Sequence, residues 1–271
     1  MHRGGPHDLT YAQYLKLDVL LSAQRTRSRP EHHDELLFII QHHTSELWLK
    51  LIIHELRGAI GGFASDDLAT ALKYMARVKH IQRQLYEQWA VLETLTPGEF
   101  AAFRDYLANS SGFQSGQYRI VEFLLGNKNT DMLDMFKDDP ATHEELRDVL
   151  HRPGLYDEFL RYLARQGYAV PGELLDRDFS QPYTENPKLF PILKEIYENP
   201  KDNWRAWETC EELIDIEEAF QLWRFRHMKA VERIIGFKRG TGGSSGVAFL
   251  RAALELTFFP EILSVRSEIG R

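Results

Sequence analysis

The most constraining feature of this sequence is the stretch from Trp204 to Gly246, where a long helical pattern leads into a glycine-rich loop. Apolar and aromatic residues recur around His227 at three- and four-residue spacings, which is the pattern of one face of an α-helix. The other members of this face are Phe220, Trp223, Ala230, Val231 and Ile234. A single imidazole therefore lies on a wide, dry and partly aromatic helix surface.

Two kinds of protein place a histidine in such surroundings. One is a helical protein with a core histidine that is hydrogen-bonded to a carbonyl group, and this is the commoner case. The other holds a haem, because a neutral imidazole nitrogen binds iron and the flat apolar macrocycle needs an apolar wall. The spacing around His227 alone leaves both alternatives open.

The loop after this helix is unusually rich in small residues. Its glycines and hydroxyl residues are Gly240, Thr241, Gly242, Gly243, Ser244, Ser245 and Gly246. It is not a phosphate-binding P-loop, because no Gly-Lys-Ser/Thr follows, and it does not join a strand to a helix as a dinucleotide fingerprint does. The segment is either a flexible connector or a lid that closes over a ligand.

Length, charge and cysteine content exclude several classes of protein. The 271 residues are enough for one large or two small domains, and the net charge of −7 argues against nucleic acid or an anionic membrane as a partner. Cys210 is the single cysteine, which excludes an internal disulfide, a Cys-based metal site and covalent haem attachment. Neither a signal peptide nor a membrane span is evident, so a cytoplasmic protein is expected.

A second long helix is predicted from Asp34 to Leu56, where Phe38 and His42 lie four residues apart and share a face. We expect a turn at the following Gly61-Gly62 pair and another helix from Asp66 to Leu95. A non-haem metal bundle is disfavoured, because such bundles need two acidic-x-x-His repeats and the sequence holds one.

The next helix has a strong start signal, with Thr96 as N-cap, Pro97 at the first helical position and Glu99 at the third. Phe100 and Arg104 repeat on it the four-residue aromatic-polar spacing of Phe38 and His42. Arg104 is either a surface charge or a bidentate clamp for a carboxylate.

The first helix is predicted to begin with a capping box of Thr10 and Gln13 and to run to about Gln24. It has two apolar faces, one of Tyr11, Tyr14 and Leu15, the other of Leu17, Leu20 and Leu21. Such a helix either is buried within its own domain or packs its second face on a partner subunit.

Residues 127–201 differ in character, because seven prolines separate short amphipathic helices. We interpret them as a smaller helical subdomain inserted between the main helices of a single domain that spans 1–271. No stretch alternates apolar and polar residues as a strand would, so the predicted fold class is all-α.

Four runs of sequence resemble one family over almost the whole chain, in order and at compatible spacings. The runs are LTYAQYLKLD, DELLFIIQHHTSELWLKLIIHEL, FRDYLANSSGFQSGQYRIVEFLLGNKN and WRFRHMKAVERIIGFKRGTGGSSGVAFLR. They are similar to the tryptophan 2,3-dioxygenases in their shorter bacterial form. The resemblance is least distinctive in 127–201.

The resemblance implies an all-α helical bundle around one b-type haem per subunit, assembled as a homotetramer. It also implies a reaction in which both atoms of O₂ are added across the indole C2–C3 bond of L-tryptophan. The product would be N-formyl-L-kynurenine, in the first step of tryptophan catabolism by the kynurenine pathway. The haem iron would be ferrous in the active state.

The resemblance further assigns roles to particular residues. His227 matches the proximal haem ligand and the metal-binding residue, and Ser111 lies where a serine lines the haem pocket. His42 matches the residue that accepts a hydrogen bond from the indole N–H, and we expect it to orient the substrate rather than act as a base. The other residues implied to contact substrate are Phe38, Ile39, Ile40, Gln41, Phe100, Arg104 and Thr241, with Tyr11, Tyr14 and Leu15 entering a neighbouring subunit's pocket.

The chemistry of tryptophan agrees with these residue types, because a buried zwitterion needs a cation, hydroxyl groups and aromatic walls. Two other classes of protein remain open at this point. A haem sensor or carrier would keep His227 but would not need Arg104 and Thr241, and a helical interaction protein would need none of them. A Soret band in the purified protein would eliminate the latter.

Overall fold

The computed structural model describes residues 9–238 and 246–270, and every regular element in those ranges is helical. The α-helices are α1 (Tyr11–Leu15), α2 (Leu17–Leu20), α3 (His33–Ala64), α4 (Leu68–Glu87), α5 (Trp89–Leu92), α6 (Pro97–Arg104), α7 (Gly116–Leu125), α8 (Pro140–Leu150), α9 (Leu155–Arg165), α10 (Gly172–Leu175), α11 (Phe190–Glu198), α12 (Trp204–Ile234), α13 (Val247–Ala253) and α14 (Pro260–Ser264). Short 3₁₀ segments cover Asp105–Leu107, Gly112–Gln114, Thr130–Phe136, Pro187–Leu189 and Val265–Ser267. The predicted all-α class is confirmed.

Three long helices form the centre of the fold, because α4 packs against both α3 and α12. α3 also packs against α7 and α9. The apolar side chains between these helices are fully buried, among them Ile52, Phe63, Met75 and Leu213. Each such side chain contributes about 1.5–3 kcal/mol to the free energy of unfolding. Within the described ranges, no helix is both long and apolar enough to cross a bilayer.

The helices of residues 127–201 share this core. Leu146 of α8, Phe159 of α9 and Leu193 of α11 are buried in the same hydrophobic cluster as the central helices. These residues therefore fold against the main helices and bury apolar surface with them. Their assignment to a smaller inserted subdomain stays a prediction.

A second, smaller cluster joins α5 and α6 to the end of α12. Its buried members are Trp89, Leu92, Leu95, Phe100, Phe103, Ala230 and Ile234. Phe38 of α3 packs against this cluster. The cluster therefore holds the part of α12 that carries His227 next to α3, α5 and α6.

The predicted start of α6 is confirmed. The Thr96 hydroxyl accepts a hydrogen bond from the backbone N–H of Glu99 at 3.4 Å, and the Glu99 carboxylate accepts one from the backbone N–H of Thr96 at 2.8 Å. Pro97 occupies the first turn, where its missing N–H costs nothing. Two of the four N–H groups that a helix start leaves unpaired are satisfied in this way.

The prediction for the first helix is partly wrong. Thr10 and Gln13 do form the capping box, but α1 ends at Leu15 because Lys16 has a left-handed backbone with φ of 53°. A second short helix, α2, follows. Tyr11, Tyr14 and Leu21 are 76%, 74% and 69% exposed, so neither apolar face of the segment is buried in this chain. Short helices without packing are marginal, which is consistent with the early end of α1.

The predicted turn at Gly61-Gly62 is also wrong, because α3 continues to Ala64. The chain turns two residues later at Asp66, which has φ of 60°. Gly62 instead lies where α3 and α4 approach closely: a Cβ added there would be 2.9 Å from the backbone nitrogen of Ala71. The helix predicted from 66 to 95 is divided in the structure into α4 and α5, with Gln88 between them.

The two adjacent glycines of α3 should respond in opposite ways to alanine. Gly62→Ala should lower the free energy of unfolding by about 1–3 kcal/mol, because the new methyl group meets the α4 backbone. Gly61→Ala should raise it by about 0.5–1 kcal/mol, because a Cβ there has nothing within 4 Å and alanine favours the helix. Urea unfolding of both variants measures the difference. Equal effects would show that the glycine pair serves backbone flexibility and not helix contact.

Candidate active site

A cavity of about 150 Å³, here called cavity A, lies among α3, α5, α6 and α12. Its walls are mostly apolar, and two histidines, His42 and His227, line it. The remaining lining residues are Phe38, Trp89, Leu92, Leu95, Phe100, Leu107, Ser110, Ser111, Gly112, Phe113, Ala230, Val231, Ile234, Ile235, Gly246 and Leu250. An apolar cavity with a few polar groups is the usual form of a small-molecule site.

His227 reaches cavity A from α12, two turns before that helix ends. Its imidazole is stacked on the indole of Trp89, with ring centroids 4.8 Å apart and planes 10° from parallel. Trp223 packs on it as well, at 5.6 Å. Burial, with a smaller contribution from nearby His42, lowers the pKa of His227 to about 4. The imidazole is therefore neutral near pH 7, the state in which a ring nitrogen binds a metal.

His42 reaches the same cavity from α3. Its Nδ1 lies 2.7 Å from the backbone carbonyl oxygen of Phe38, and a carbonyl only accepts, so Nδ1 carries the proton and donates it. Burial lowers the pKa of His42 below its ordinary value, with the backbone hydrogen bond to Phe38 and the charge of Glu46 acting in the opposite direction. In the neutral ring, Nε2 is then left as a hydrogen-bond acceptor.

Phe38 and Phe100 form one side of cavity A, and a third ring, Phe103, packs against both of them. The ring of Phe38 lies 4.1 Å from the His42 ring, 5.8 Å from Phe100 and 5.7 Å from Phe103, measured between centroids. Phe103 is fully buried, so the rings of Phe38 and Phe100 rest on a fixed base. A planar aromatic ligand would meet ring faces and edges at this wall.

Of the other residues predicted to contact substrate or haem, some line cavity A and others do not. Ser111 lines it together with Ser110. Arg104 is half-buried at the end of α6 and is not among the lining residues. Ile39 lines a neighbouring groove, Ile40 is 45% exposed, and Gln41 is buried. Thr241 lies outside the described residues.

Tyr11, Tyr14 and Leu15 do not line cavity A of their own chain. They are 76%, 74% and 40% exposed on α1. The groove that contains Ile39 continues from cavity A, since Phe38, His42 and Ser111 line both. Residues 25–27, which follow α2 after a short link, also line that groove.

A second and more polar cavity, here called cavity B, adjoins cavity A and has a volume of about 500 Å³. The two share His227, Gly112, Phe113 and Leu250 in their walls. Cavity B adds the cations Arg119, Lys128 and Arg224 and the carboxylate Glu122.

Three buried hydrogen-bond donors in the walls of cavities A and B have no partner among the described residues, and they indicate the kind of ligand that would fit. The indole N–H groups of Trp89 and Trp223 and the Nε–H of Arg119 are buried without a partner among the described residues. All three atoms are donors, so a ligand of these cavities should carry acceptors. Haem b has an apolar ring, two carboxylates and an iron that would be held by one imidazole, and the residues present fit it. Among the described residues no three His, Cys, Asp or Glu side chains converge as a metal site.

Trp89 is the residue of this site to which the sequence pattern assigns no role. It sits on α5, far along the chain from His227, and only the packing of α5 against α12 brings the two rings together. In the sequence, Trp89 is distinguished only as an aromatic residue near the end of the helix predicted from 66 to 95. Leu92, Leu95 and Leu107 were likewise indistinguishable from ordinary core residues.

A family model described as tryptophan 2,3-dioxygenase matches residues 2–193 and 190–269 of this chain. Curated tryptophan 2,3-dioxygenases are similar over 97% of the chain. The relative from Kineococcus radiotolerans is 63% identical, and the match covers 92% of its own length. The relative from Arthrobacter sp. (strain FB24) is 61% identical, with 93% of its length covered. The relative from Xanthomonas campestris pv. campestris (strain B100) is 59% identical, with 88% of its length covered. On this similarity, which extends through every helix that lines cavity A, the chain belongs to the tryptophan 2,3-dioxygenase family.

Proposed function

We propose that this chain is a haem-dependent dioxygenase that adds both atoms of O₂ across the indole C2–C3 bond of L-tryptophan. The bond is cleaved, each carbon gains one oxygen atom, and the product is N-formyl-L-kynurenine, the first step of the kynurenine route. The observation that carries this proposal is the placement of two neutral histidines, His42 and His227, from two helices in the wall of one apolar cavity.

His227 would hold the haem iron through its neutral imidazole. The stacked ring of Trp89 and the apolar residues of cavity A support that role, since they match a flat apolar macrocycle. Ser111 lines the same cavity as His227, and we propose that it contacts the haem. When bound, the haem supplies the ferrous iron at which O₂ is activated.

The substrate would lie against α3 and α6. The Nε2 of His42 is free to accept a hydrogen bond from the indole N–H, because Nδ1 already donates to Phe38. Phe38 and Phe100 would supply aromatic contacts for the indole. Ile39, Ile40 and Gln41, which lie between Phe38 and His42, would complete the substrate-binding segment of α3. Holding the indole in one orientation and excluding water are the contributions of the protein. A base is not required, because the indole proton need not leave before the ring is attacked.

The two charged groups of tryptophan need partners of their own. We propose that Arg104 binds the carboxylate and that Thr241, in the glycine-rich loop, contacts the ammonium and carboxylate end. A guanidinium is suited to a carboxylate because it donates two parallel hydrogen bonds. Arg104 lies one helical turn after Phe100, which lines cavity A.

We further propose that the chain forms a homotetramer of single domains. The exposed apolar residues Tyr11, Tyr14 and Leu15 support a contact between subunits, since they lie together on one short helix and a contiguous exposed apolar patch marks an interaction surface. They would then complete the pocket of a neighbouring subunit, next to the groove that opens from cavity A.

The assignment of His227 predicts that His227→Ala loses haem or holds it loosely, because the one protein bond to iron is removed. The Soret band of the purified variant should be weak or shifted, while the parent shows a full band. His151→Ala, which changes an exposed histidine, is the control and should keep the parent's spectrum. Full haem occupancy with an unaltered spectrum in His227→Ala would contradict the proposal.

The orienting role of His42 predicts a partial loss of activity. His42→Ala should lower kcat/KM for L-tryptophan by about tenfold to a hundredfold, because a lost hydrogen bond of this kind costs roughly 1–3 kcal/mol. With 1-methyltryptophan, which has no indole N–H, variant and parent should be alike. His54→Ala is the control, since His54 is an exposed residue of the same helix and lines neither cavity A nor the neighbouring groove.

A complete loss of turnover in His42→Ala, with haem and tryptophan still bound, would indicate an obligatory base instead.

The role of Arg104 predicts a dependence on the substrate's carboxylate. Arg104→Leu should raise the KM for L-tryptophan steeply, because losing one partner of a buried charge pair costs about 2–5 kcal/mol. Tryptamine, which lacks the carboxylate, should be handled equally by variant and parent. Arg83→Leu, at an exposed ion pair with Glu87, is the matched control. If both substrates suffer alike, Arg104 supports the fold and does not bind the carboxylate.

A further inference from the structure

Cavity B has a buried charged wall on which two arginines share one carboxylate. Glu122 accepts hydrogen bonds from Arg119, one turn away on α7, and from Arg224 of α12, the latter at 2.9 Å. All three residues are buried: Glu122 is 4% exposed, Arg119 6% and Arg224 3%. Within this group of three residues, two guanidinium groups share one carboxylate in a region that water barely reaches. A further buried carboxylate, Glu217, lies close enough to interact with the charge of Arg224.

The two arginines are not equally satisfied. Arg224 donates to Glu122, to the Tyr118 hydroxyl and to the carbonyls of Ala253 and Leu256. Arg119 donates to Glu122, but its Nε–H is buried with no acceptor among the described residues. A buried charged donor without an acceptor destabilises the fold, so this position favours a ligand that has a hydrogen-bond acceptor.

The third cation of cavity B is already occupied. The ammonium group of Lys128 donates to the backbone carbonyls of Val149, Leu150 and Arg152 and so caps the end of α8. Lys128 is therefore a structural residue. Of the carboxylates that line this cavity in the described part of the chain, Glu122 is buried and Asp131 is exposed. Of the three cations, the charged donor left without an acceptor among the described residues is that of Arg119.

The position of this charge indicates the kind of anion. Cavity B shares His227 with cavity A, and the unpartnered indole N–H of Trp223 lies in the wall of cavity B as well. A ligand bound through His227 would thus have an anion-binding wall beside it. An ionised carboxylate only accepts hydrogen bonds and forms its strongest ones with guanidinium groups.

We propose that Arg119 binds a propionate carboxylate of the haem, with Glu122 as the positioning residue that holds the guanidinium in place. This inference rests on the proposed function, in which His227 holds a haem. It adds a second attachment point that is electrostatic and independent of the iron. The propionate supplies the acceptor that the Arg119 Nε–H lacks.

The test compares two forms of the cofactor on haem-free protein. Haem b and its dimethyl ester, whose carboxylates are blocked, are titrated while the Soret band is recorded, and the rate of haem loss to an acceptor globin is measured. The parent should hold haem b about ten- to a hundredfold more tightly than the ester, as expected for one charge-assisted hydrogen bond. Arg119→Met should lower this ratio to near one, and Arg119→Lys should keep part of it.

Two controls separate the possible failures. Arg83→Met, at an exposed arginine, should keep the parent's ratio. Equal affinity of the unaltered parent for haem b and the ester would overturn the proposal without any variant, so a poorly folding Arg119→Met does not leave it untested. An unchanged ratio in Arg119→Met would overturn it as well. A parent that binds neither form would contradict the proposed function instead.

Discussion

The ion pair between Glu122 of α7 and Arg224 of α12 is the interaction on which the rest of the site depends. Arg224 lies one turn before His227, so the pair fixes the rotation of α12 at the point where the imidazole enters the cavity. Breaking a buried pair leaves an uncompensated charge and costs about 3–5 kcal/mol. Arg224 also donates to carbonyls at Ala253 and Leu256, which ties the chain after the glycine-rich loop to the same helix.

Around this pair the site is divided by polarity. Cavity A is walled by aliphatic and aromatic side chains and contains the two neutral histidines, whereas cavity B is lined by buried charges. His227 stands at the boundary. Such a division suits an amphiphilic ligand whose apolar body and anionic groups lie at different ends. Burial is the largest cause of the lowered pKa values of His42 and His227.

As a member of the tryptophan 2,3-dioxygenase family, the chain is an oxidoreductase that oxygenates tryptophan. Cavity A, proposed above as the site of this reaction, is mostly apolar. Its polar groups are few, and the ring nitrogen of His42 that faces away from Phe38 is placed to accept one hydrogen bond. Phe103 packs on the rings of both Phe38 and Phe100, which fixes this aromatic wall of cavity A.

The sequence by itself determined the features that depend on residues within a few helical turns. The all-α class, the capping box before α6, the stripe around His227 and the pairing of Phe38 with His42 all follow from local spacing. Only the tertiary structure decided the contacts between residues distant along the chain: Trp89 on His227, Glu122 with Arg224, and Gly62 against Ala71. The Gly61-Gly62 turn was mispredicted for that reason, since a glycine required by a neighbouring helix and a glycine required by a turn look alike in a single sequence. Helix packing brings these partners together, and the sequence of one helix does not show which other helix it will contact.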